Sequence, residues 1–436
     1  MYRMHKSIQK IQFSFDETNL THYGGMFLFQ RFCKYLKIKD LLHSRVTFNK
    51  RHIRYHPAVM LLIVINAIVA GILRLSGTRI LYYNGSFQKF LGLRSFPHST
   101  RLNRFLLSLD SKTLHQINRV HDTLRLSLFH KPNNRSSVIL DMDSTVLTVY
   151  GNQEGSAIGF NPHKQGRPSY HPLLCFEGHT RDYWHGYFRP GNTGSASEAK
   201  PFLEECFAKI PQGIYRVRLR ADAGFYSHEI VEYLDDKGVK YVITARVYSN
   251  TQAILGGLKY KDFKSGYQTA EYLYKPQKWK HEHKFVVIRR VLPKAPSLQM
   301  HLFTMDGYSY HVMVTNLNVT PQRAWHFYNN RWLAEQDIKE LKENFNLSRI
   351  PTRKWQSNET YFHVLLFAYN LVNWFKRFCL PEPYIRWNLK TLRTELFLLP
   401  AKLVKNQNRN YLRLPKNYVH QKLFEHIAKK VESLKF

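Results

Sequence analysis

Residues 136–151, SSVILDMDSTVLTVYG, set two carboxylates inside an apolar, β-branched run. Such a run reads as a strand. Residues two apart on a strand share a face, so Asp141 and Asp143 point the same way. Two strand-like runs joined by a turn follow in HPLLCFEGHTRDYWHGYFRPGN. SASEAKPFLEECFAKIP then reads as a helix, with Ser195 and Glu198 at capping-box spacing. YRVRLRADAGF is a fourth strand, with Val217, Leu219 and Ala221 on one face and arginines on the other. SHEIVEYLDDKG is a helix from about Ser227 to Gly238, where a left-handed residue is wanted, and VKYVITAR is a fifth strand. Three strands in a meander, helix, strand, helix, strand predict a mixed α/β sheet with helices on its faces.

Five regions follow from this pattern. Residues 1–130 read as mainly helical and 131–247 carry the alternation just described. Residues 248–319 form a β-rich insertion with runs such as HKFVVIRRV, MHLFTMD and YHVMVTN. Residues 320–380 open at Thr320 and Pro321, in the cap and first-turn positions of one long helix. Residues 381–436 form a basic C-terminal segment. Within the first region, residues 77–110 read as a short helix, a Gly-containing turn and a second helix from Ser99 that presents Arg101, Asn103 and Arg104. That arrangement is compatible with a helix-turn-helix on DNA and equally with plain helix packing.

Charge narrows the partners. The chain carries 65 Lys+Arg against 31 Asp+Glu, a formal net charge of +34. So basic a chain repels itself unless its usual partner is polyanionic, and nucleic acid is the expected one. The cations are spread along the chain rather than gathered beside an anchor, which disfavours a membrane surface. AVMLLIVINAIVAGIL, residues 58–73, falls short of the roughly 20 apolar residues a span needs and is flanked by Arg51, Arg54 and Arg74. It reads as a buried helix. Cys33, Cys175, Cys206 and Cys379 are far apart with no C-x-x-C pair, which argues against a disulfide framework and a zinc site and suits a reducing cytosol. The start, MYRMHKSIQKIQ, has no apolar core of a secretory signal.

YNNRWLAEQDIKELK, residues 328–342, is dense in charge. At about 100° per residue, Tyr328, Arg331, Glu335, Lys339 and Lys342 share one polar face. Phe327, Ala334, Ile338, Leu341 and Phe345 form an adjacent core stripe. The polar face can border a cleft, or it can be a solvated surface laced with pairs such as Glu335–Lys339. Asp337 and Glu340 fall outside it and read as surface.

Cutting a phosphodiester with Mg²⁺ calls for carboxylates that converge from separate elements. Asp141 and Asp143 on the first strand, Asp222 at the end of the fourth, and Glu335 on the later helix can supply them. Gly224 allows a tight turn after Asp222.

Here the chain resembles the DDE transposases of bacterial insertion sequences, specifically those with a YREK signature. Tyr328, Arg331, Glu335 and Lys342 stand at its spacing, DAGF at 222–225 matches the second-aspartate motif, and DST at 143–145 matches the first. LDMDSTV…YGNQEG…GRPSYHPLL looks like one subgroup of these enzymes. The resemblance implies an RNase H-like catalytic core, interrupted by the β-rich insertion and preceded by a helical DNA-binding region. It implies two Mg²⁺ ions, with Mn²⁺ as a substitute, held by Asp143, Asp222 and Glu335. Asp141 is the alternative first ligand. Tyr328, Arg331 and Lys342 map onto the positions that contact phosphates, with Lys339 beside them. Trp332 and Trp325 either stack on a flipped-out base or simply pack the helix. Gln153, Glu154 and His171 are expected to fix the turn after the first strand rather than to act in the site.

The implied function is nicking at terminal inverted repeats and strand transfer into target DNA, by a homodimer on double-stranded DNA in the bacterial cytosol. The competing readings are a nuclease of the same fold without strand transfer and a transposase-derived DNA-binding regulator. The intact set of carboxylates disfavours the second.

Overall fold

The computed structural model describes residues 11–47, 54–72, 74–131, 135–162, 164–292, 303–407 and 409–434. The segment read for a secretory signal, Arg51 beside the apolar run, the run's last residue Leu73 and the first residues of MHLFTMD lie outside the described residues. The chain forms two compact units. One comprises the described residues of 1–44, 48–105 and 375–435; the other comprises 45–47 and 106–374.

In the first unit the apolar run forms the helix Pro57–Val69, thirteen residues long and buried along most of its length. His56 caps its start, accepting from the Ala58 amide at 3.2 Å. At its end Arg393 donates to the Ile68 and Val69 carbonyls at 2.7 Å each, adding to the bond that Ile68 accepts from the Gly71 amide. Asn66, the one polar interruption, donates back to the Leu62 carbonyl at 2.7 Å and accepts from Gln30. A buried amide with both ends satisfied costs little, so the helix tolerates it. Among the described residues no helix is long and apolar enough to cross a membrane. The helix opening at Ser99 is present as Ser99–Leu106, after a six-residue helix Gly85–Phe90. The basic C-terminal segment is folded within this same unit. It forms the hairpin Ala401–Asn406 and Arg409–Arg413, joined to Leu20–Thr21, and the helix Gln421–Ser433.

The second unit is built on a ten-stranded sheet. Its strands are β1 (Ser137–Ser144), β2 (Leu173–Glu177), β3 (Tyr183–Tyr187), β4 (Arg216–Ala221), β5 (Lys240–Thr244), β6 (Lys261–Lys264), β7 (Tyr267–Tyr274), β8 (His283–Val291), β9 (Phe303–Met305) and β10 (Tyr308–Thr315). β1, β2 and β3 form an antiparallel meander, while β4 lies parallel to β1 and β5 parallel to β4. The order 3-2-1-4-5, with helices in the connections after β3 and β4, is a mixed α/β, RNase H-like core. The insertion does not form a sheet of its own: β10 pairs antiparallel with β5, and β8, β7 and β6 extend the same sheet outward.

Alternation along β1 decides what each face carries. Val138, Leu140 and Met142 enter the large core with Leu219 and Ala221 of β4, beneath helices α1 (Ala199–Ala208) and α2 (His228–Asp236). Asp141 and Asp143 therefore face the opposite side. There α3 (Pro321–Asn329) packs Ala324 and Tyr328 on Val242, Val286, Ile288 and Met313. The caps of α2 form as the sequence predicts: Ser227 accepts from the Ile230 amide, and Gly238 closes the helix at φ +67°. Two expectations are corrected. Ser195 and Glu198 make no capping box, because Glu198 itself sits at the N-cap of α1 in a left-handed conformation, φ 59°. The helix from Thr320 is not continuous either: α3 ends at Asn329, and α4 (Trp332–Glu343) starts anew with Arg331 at its N-cap.

Candidate active site

Three elements bring the candidate residues together. β1 delivers Asp143 one residue from its end, the turn after β4 delivers Asp222, and α4, packed over β1, delivers Glu335 in its first turn. Arg331 sits at the convergence and is 8% exposed. Its Nη1 donates to Asp143 Oδ2 at 3.1 Å and its Nη2 pairs with Glu335 Oε1. Glu335 thus pairs backward along its own helix to Arg331, not forward to Lys339.

The electrostatics fit one crowded anionic point. Burial pushes the Asp143 carboxyl up to about 6; Arg331 pulls it down, and Asp222 and Glu335 push it further up. Burial works against the Arg331 cation, yet its pKa is raised, because Tyr328, Asp143, Glu335 and Asp222 all favour the charged form. Burial lowers the pKa of the Lys342 ammonium, and Asp143 opposes that shift. These two cations answer three carboxylates in a partly desolvated pocket. Among the described residues no three or more His, Cys, Asp or Glu side chains stand close enough to hold a metal in the arrangement seen. The donor set nevertheless suits a hard divalent cation: all-oxygen, anionic, from separate rigid elements, and at present balanced by a guanidinium.

The remaining candidates are placed as follows. Tyr328 is buried on α3, its ring edge-on to His311 at 5.0 Å and facing the Arg331 guanidinium at 5.8 Å. Trp332 is 52% exposed, and Lys339 is exposed. Trp325 packs against Phe263 and Tyr267 of the insertion, with the Lys264 ammonium 4.4 Å from its ring centroid. Asp141 is committed elsewhere. Arg220 donates to it through Nε at 2.6 Å and Nη2 at 2.7 Å, both residues being almost fully buried. Asp337 is not on the surface but 1% exposed, in an ion pair with Arg181. Glu154 does tie the turn after the first strand, accepting from the Trp355 amide at 3.1 Å.

Several further residues border the site in roles that the sequence reading did not assign to them. His171 lies beside Ser144, the neighbour of Asp143, with Nε2 3.0 Å from the Ser144 hydroxyl and Nδ1 2.7 Å from the Thr193 carbonyl. Ser195 Oγ stands 3.2 Å from Ser144 Oγ. Gly224 is required less for its turn than for its closeness to neighbours. A Cβ there would meet Asp222 Oδ1 and Ser195 Cβ, each at 2.9 Å. Asp222 Oδ1 accepts from the Gly224 amide at 2.9 Å, which orients the carboxylate. His311 is held near 4 by burial and by Arg331, so it is neutral and bonds Thr244 at 3.0 Å. Apart from Gly224, two residues after Asp222, none of these carries a spacing signal, because its partner is distant in the chain.

The sequence matches the profile of the family described as transposase DDE domain group 1 over residues 4–436. Among solved structures, the chain is similar to the piggyBac transposase synaptic complex with hairpin DNA, solved by cryo-EM. The identity is 12%, the TM-score is 0.48, and the match covers 87% of this chain and 83% of that one. No curated protein gives a match.

Proposed function

The chain belongs to the transposase DDE domain family, and from that premise we propose that it cuts DNA at the terminal inverted repeats of a bacterial insertion sequence and joins the ends to target DNA. One observation carries the reading: carboxylates from β1, the β4 turn and α4 all act on one buried guanidinium, Arg331. Asp143, Asp222 and Glu335 would hold two Mg²⁺ ions, or Mn²⁺ in their place. Bound there, the ions supply the activation of water or a 3′-hydroxyl and the stabilisation of the leaving oxygen.

The chain's other residues then have separable roles. Arg331 offers a planar fork of donors and Lys342 a point charge, both suited to a phosphate held against the carboxylates. Tyr328, locked in the core on α3, fixes the angle at which Arg331 enters. Lys339, on the exposed side of α4, meets the duplex backbone, and Trp332 offers a half-exposed ring to an unstacked base. Double-stranded DNA is the partner that the formal charge of +34 calls for. The working form on paired ends is a homodimer.

The test uses purified protein, Mg²⁺, a duplex carrying the element's own ends, and a target plasmid. Nicks at the ends and joined products are expected, and Asp222→Asn and Glu335→Gln should give neither. End cleavage by either variant would sink the assignment, and nicks without joined products would make the chain a nuclease. Binding of the same ends should weaken steeply and log-linearly with salt, as phosphate-dominated contacts require. Salt-insensitive binding would contradict the electrostatics.

A further inference from the structure

The end of β1 that carries Asp143 and the turn that carries Asp222 are joined by side chains to which the catalytic reading gives no task. The Thr193 carbonyl can only accept, so at 2.7 Å the His171 Nδ1 carries the ring proton. Nε2 of the neutral ring is then bare and accepts the Ser144 hydroxyl proton at 3.0 Å. With its proton so directed, Ser144 Oγ accepts from Ser195 Oγ at 3.2 Å. Ser195 in turn packs on the turn that bears Asp222, its Cβ where a side chain on Gly224 would have to go. His171 is buried, 6% exposed, and Ser144 and Ser195 are partly buried. The chain of contacts therefore runs from the residue after Asp143 to the turn that orients Asp222, with every donor direction fixed by Thr193.

We propose that His171, Ser144 and Ser195 form a polar strap that sets the separation of Asp143 and Asp222, and so tunes the site's affinity for its divalent cation. This rests on the reading of those aspartates as metal ligands. None of the three touches the reacting atoms; they are positioning residues. Outer residues that orient ligands change metal affinity by about 10–100-fold when removed, which is the effect expected here.

The geometry also predicts which replacement of His171 is tolerated. A Gln carboxamide places its oxygen near Nε2 and can still accept from Ser144. An Asn carboxamide reaches only the Nδ1 position, keeping the Thr193 bond and losing the strap. Mn²⁺ binding to the intact chain, followed by calorimetry and by electron paramagnetic resonance of free Mn²⁺, should weaken about 10–100-fold in Ser195→Ala and His171→Asn. His171→Gln should stay close to the native affinity, and end cleavage by the weakened variants should recover at high Mn²⁺. Metal-free melting temperatures of all three should match the native chain.

Native-like Mn²⁺ affinity in Ser195→Ala and His171→Asn, with binding abolished in Asp222→Asn, would overturn the strap and leave the metal reading intact. No Mn²⁺ binding by the native chain would overturn the metal reading itself. Equal losses in His171→Gln and His171→Asn, or a fall in metal-free melting temperature in step with the lost affinity, would reduce the strap to ordinary packing.

Discussion

In a chelator at pH 8, the Asp143→Asn protein melts at a higher temperature than the native chain, and in Mg²⁺ it cuts no DNA. The two effects have one cause. Burial and the neighbouring Asp222 and Glu335 carboxylates raise the Asp143 carboxyl to about 6, even with Arg331 attracting its charge. The unfolded chain returns it to its ordinary value of 3.8. Between these values the folded state binds more proton than the unfolded state, so stability falls as pH rises through this window and stays low above it. The ionised carboxylate thus costs the metal-free fold on the order of 2–3 kcal/mol at neutral pH, and the neutral amide removes that cost. A rise of several degrees is the corresponding shift. Burial raises Asp337 to about 6 although Arg181 pulls it down, so the native chain loses stability from two groups over the same range. Asp143→Asn should show the shallower fall in denaturant midpoint between pH 4 and 7. A lower melting temperature than native at pH 8 would refute the argument. A site that destabilises its own fold until a cation arrives is what a metal-dependent active centre with crowded carboxylates should show.

How much of this was legible in the sequence depended on whether the partner was near in the chain. Period-two alternation put Asp141 and Asp143 on one face, and the structure has them there, with Val138, Leu140 and Met142 turned into the opposite core. Val217, Leu219 and Ala221 behaved alike, and Thr320, Pro321, Ser227 and Gly238 marked helix ends that form. Helical spacing put Arg331 and Glu335 on one face, though the pair it named was Glu335–Lys339 and the one that forms is Arg331–Glu335.

The errors came where tertiary contacts overrode local pattern. No Pro or Gly marks the break between α3 and α4. It follows from burying Tyr328 against His311 while Arg331 turns toward Asp143. Asp337 looked like surface because its partner, Arg181, is 156 residues away. Ser195 looked like a cap because Glu198 followed at the right spacing, yet its contact is Ser144, 51 residues upstream. The sequence put arginines on one face of β4 without a partner for them; Arg220 is 1% exposed and paired across the parallel register with Asp141.

That last pair predicts a second large effect, of opposite sign to the first. Asp141→Ala should destabilise the metal-free protein by about 3–5 kcal/mol, because it leaves the Arg220 guanidinium buried without its counter-charge. Arg220→Ala should cost a similar amount. It strands Asp141 and also removes the 2.9 Å bond from Nη1 to the Phe327 carbonyl, which ties β4 to the end of α3. Burial already holds the Asp141 carboxyl above its ordinary range in spite of Arg220, so the pair gains little over an apolar one while costing much to break. The double replacement Asp141→Leu/Arg220→Met should therefore recover most of the loss in urea melts, giving a coupling of at least about 1 kcal/mol. Additive losses would show that the two residues act independently.

Gly178 fits the same account, since a Cβ there would lie 2.6 Å from Arg220 Nη2 and 3.1 Å from Asp141 Oδ2. The backbone has been kept bare to admit the pair. With both of its oxygens engaged by one buried guanidinium, Asp141 is a brace; Asp143, which gives one oxygen to Arg331 and the other to the Ser144 amide, is the carboxylate we propose as the metal ligand. The two aspartates, two residues apart on one strand face, should then separate cleanly by experiment. Loss at Asp141 lowers the melting temperature, whereas neutralisation at Asp143 raises it and abolishes cleavage.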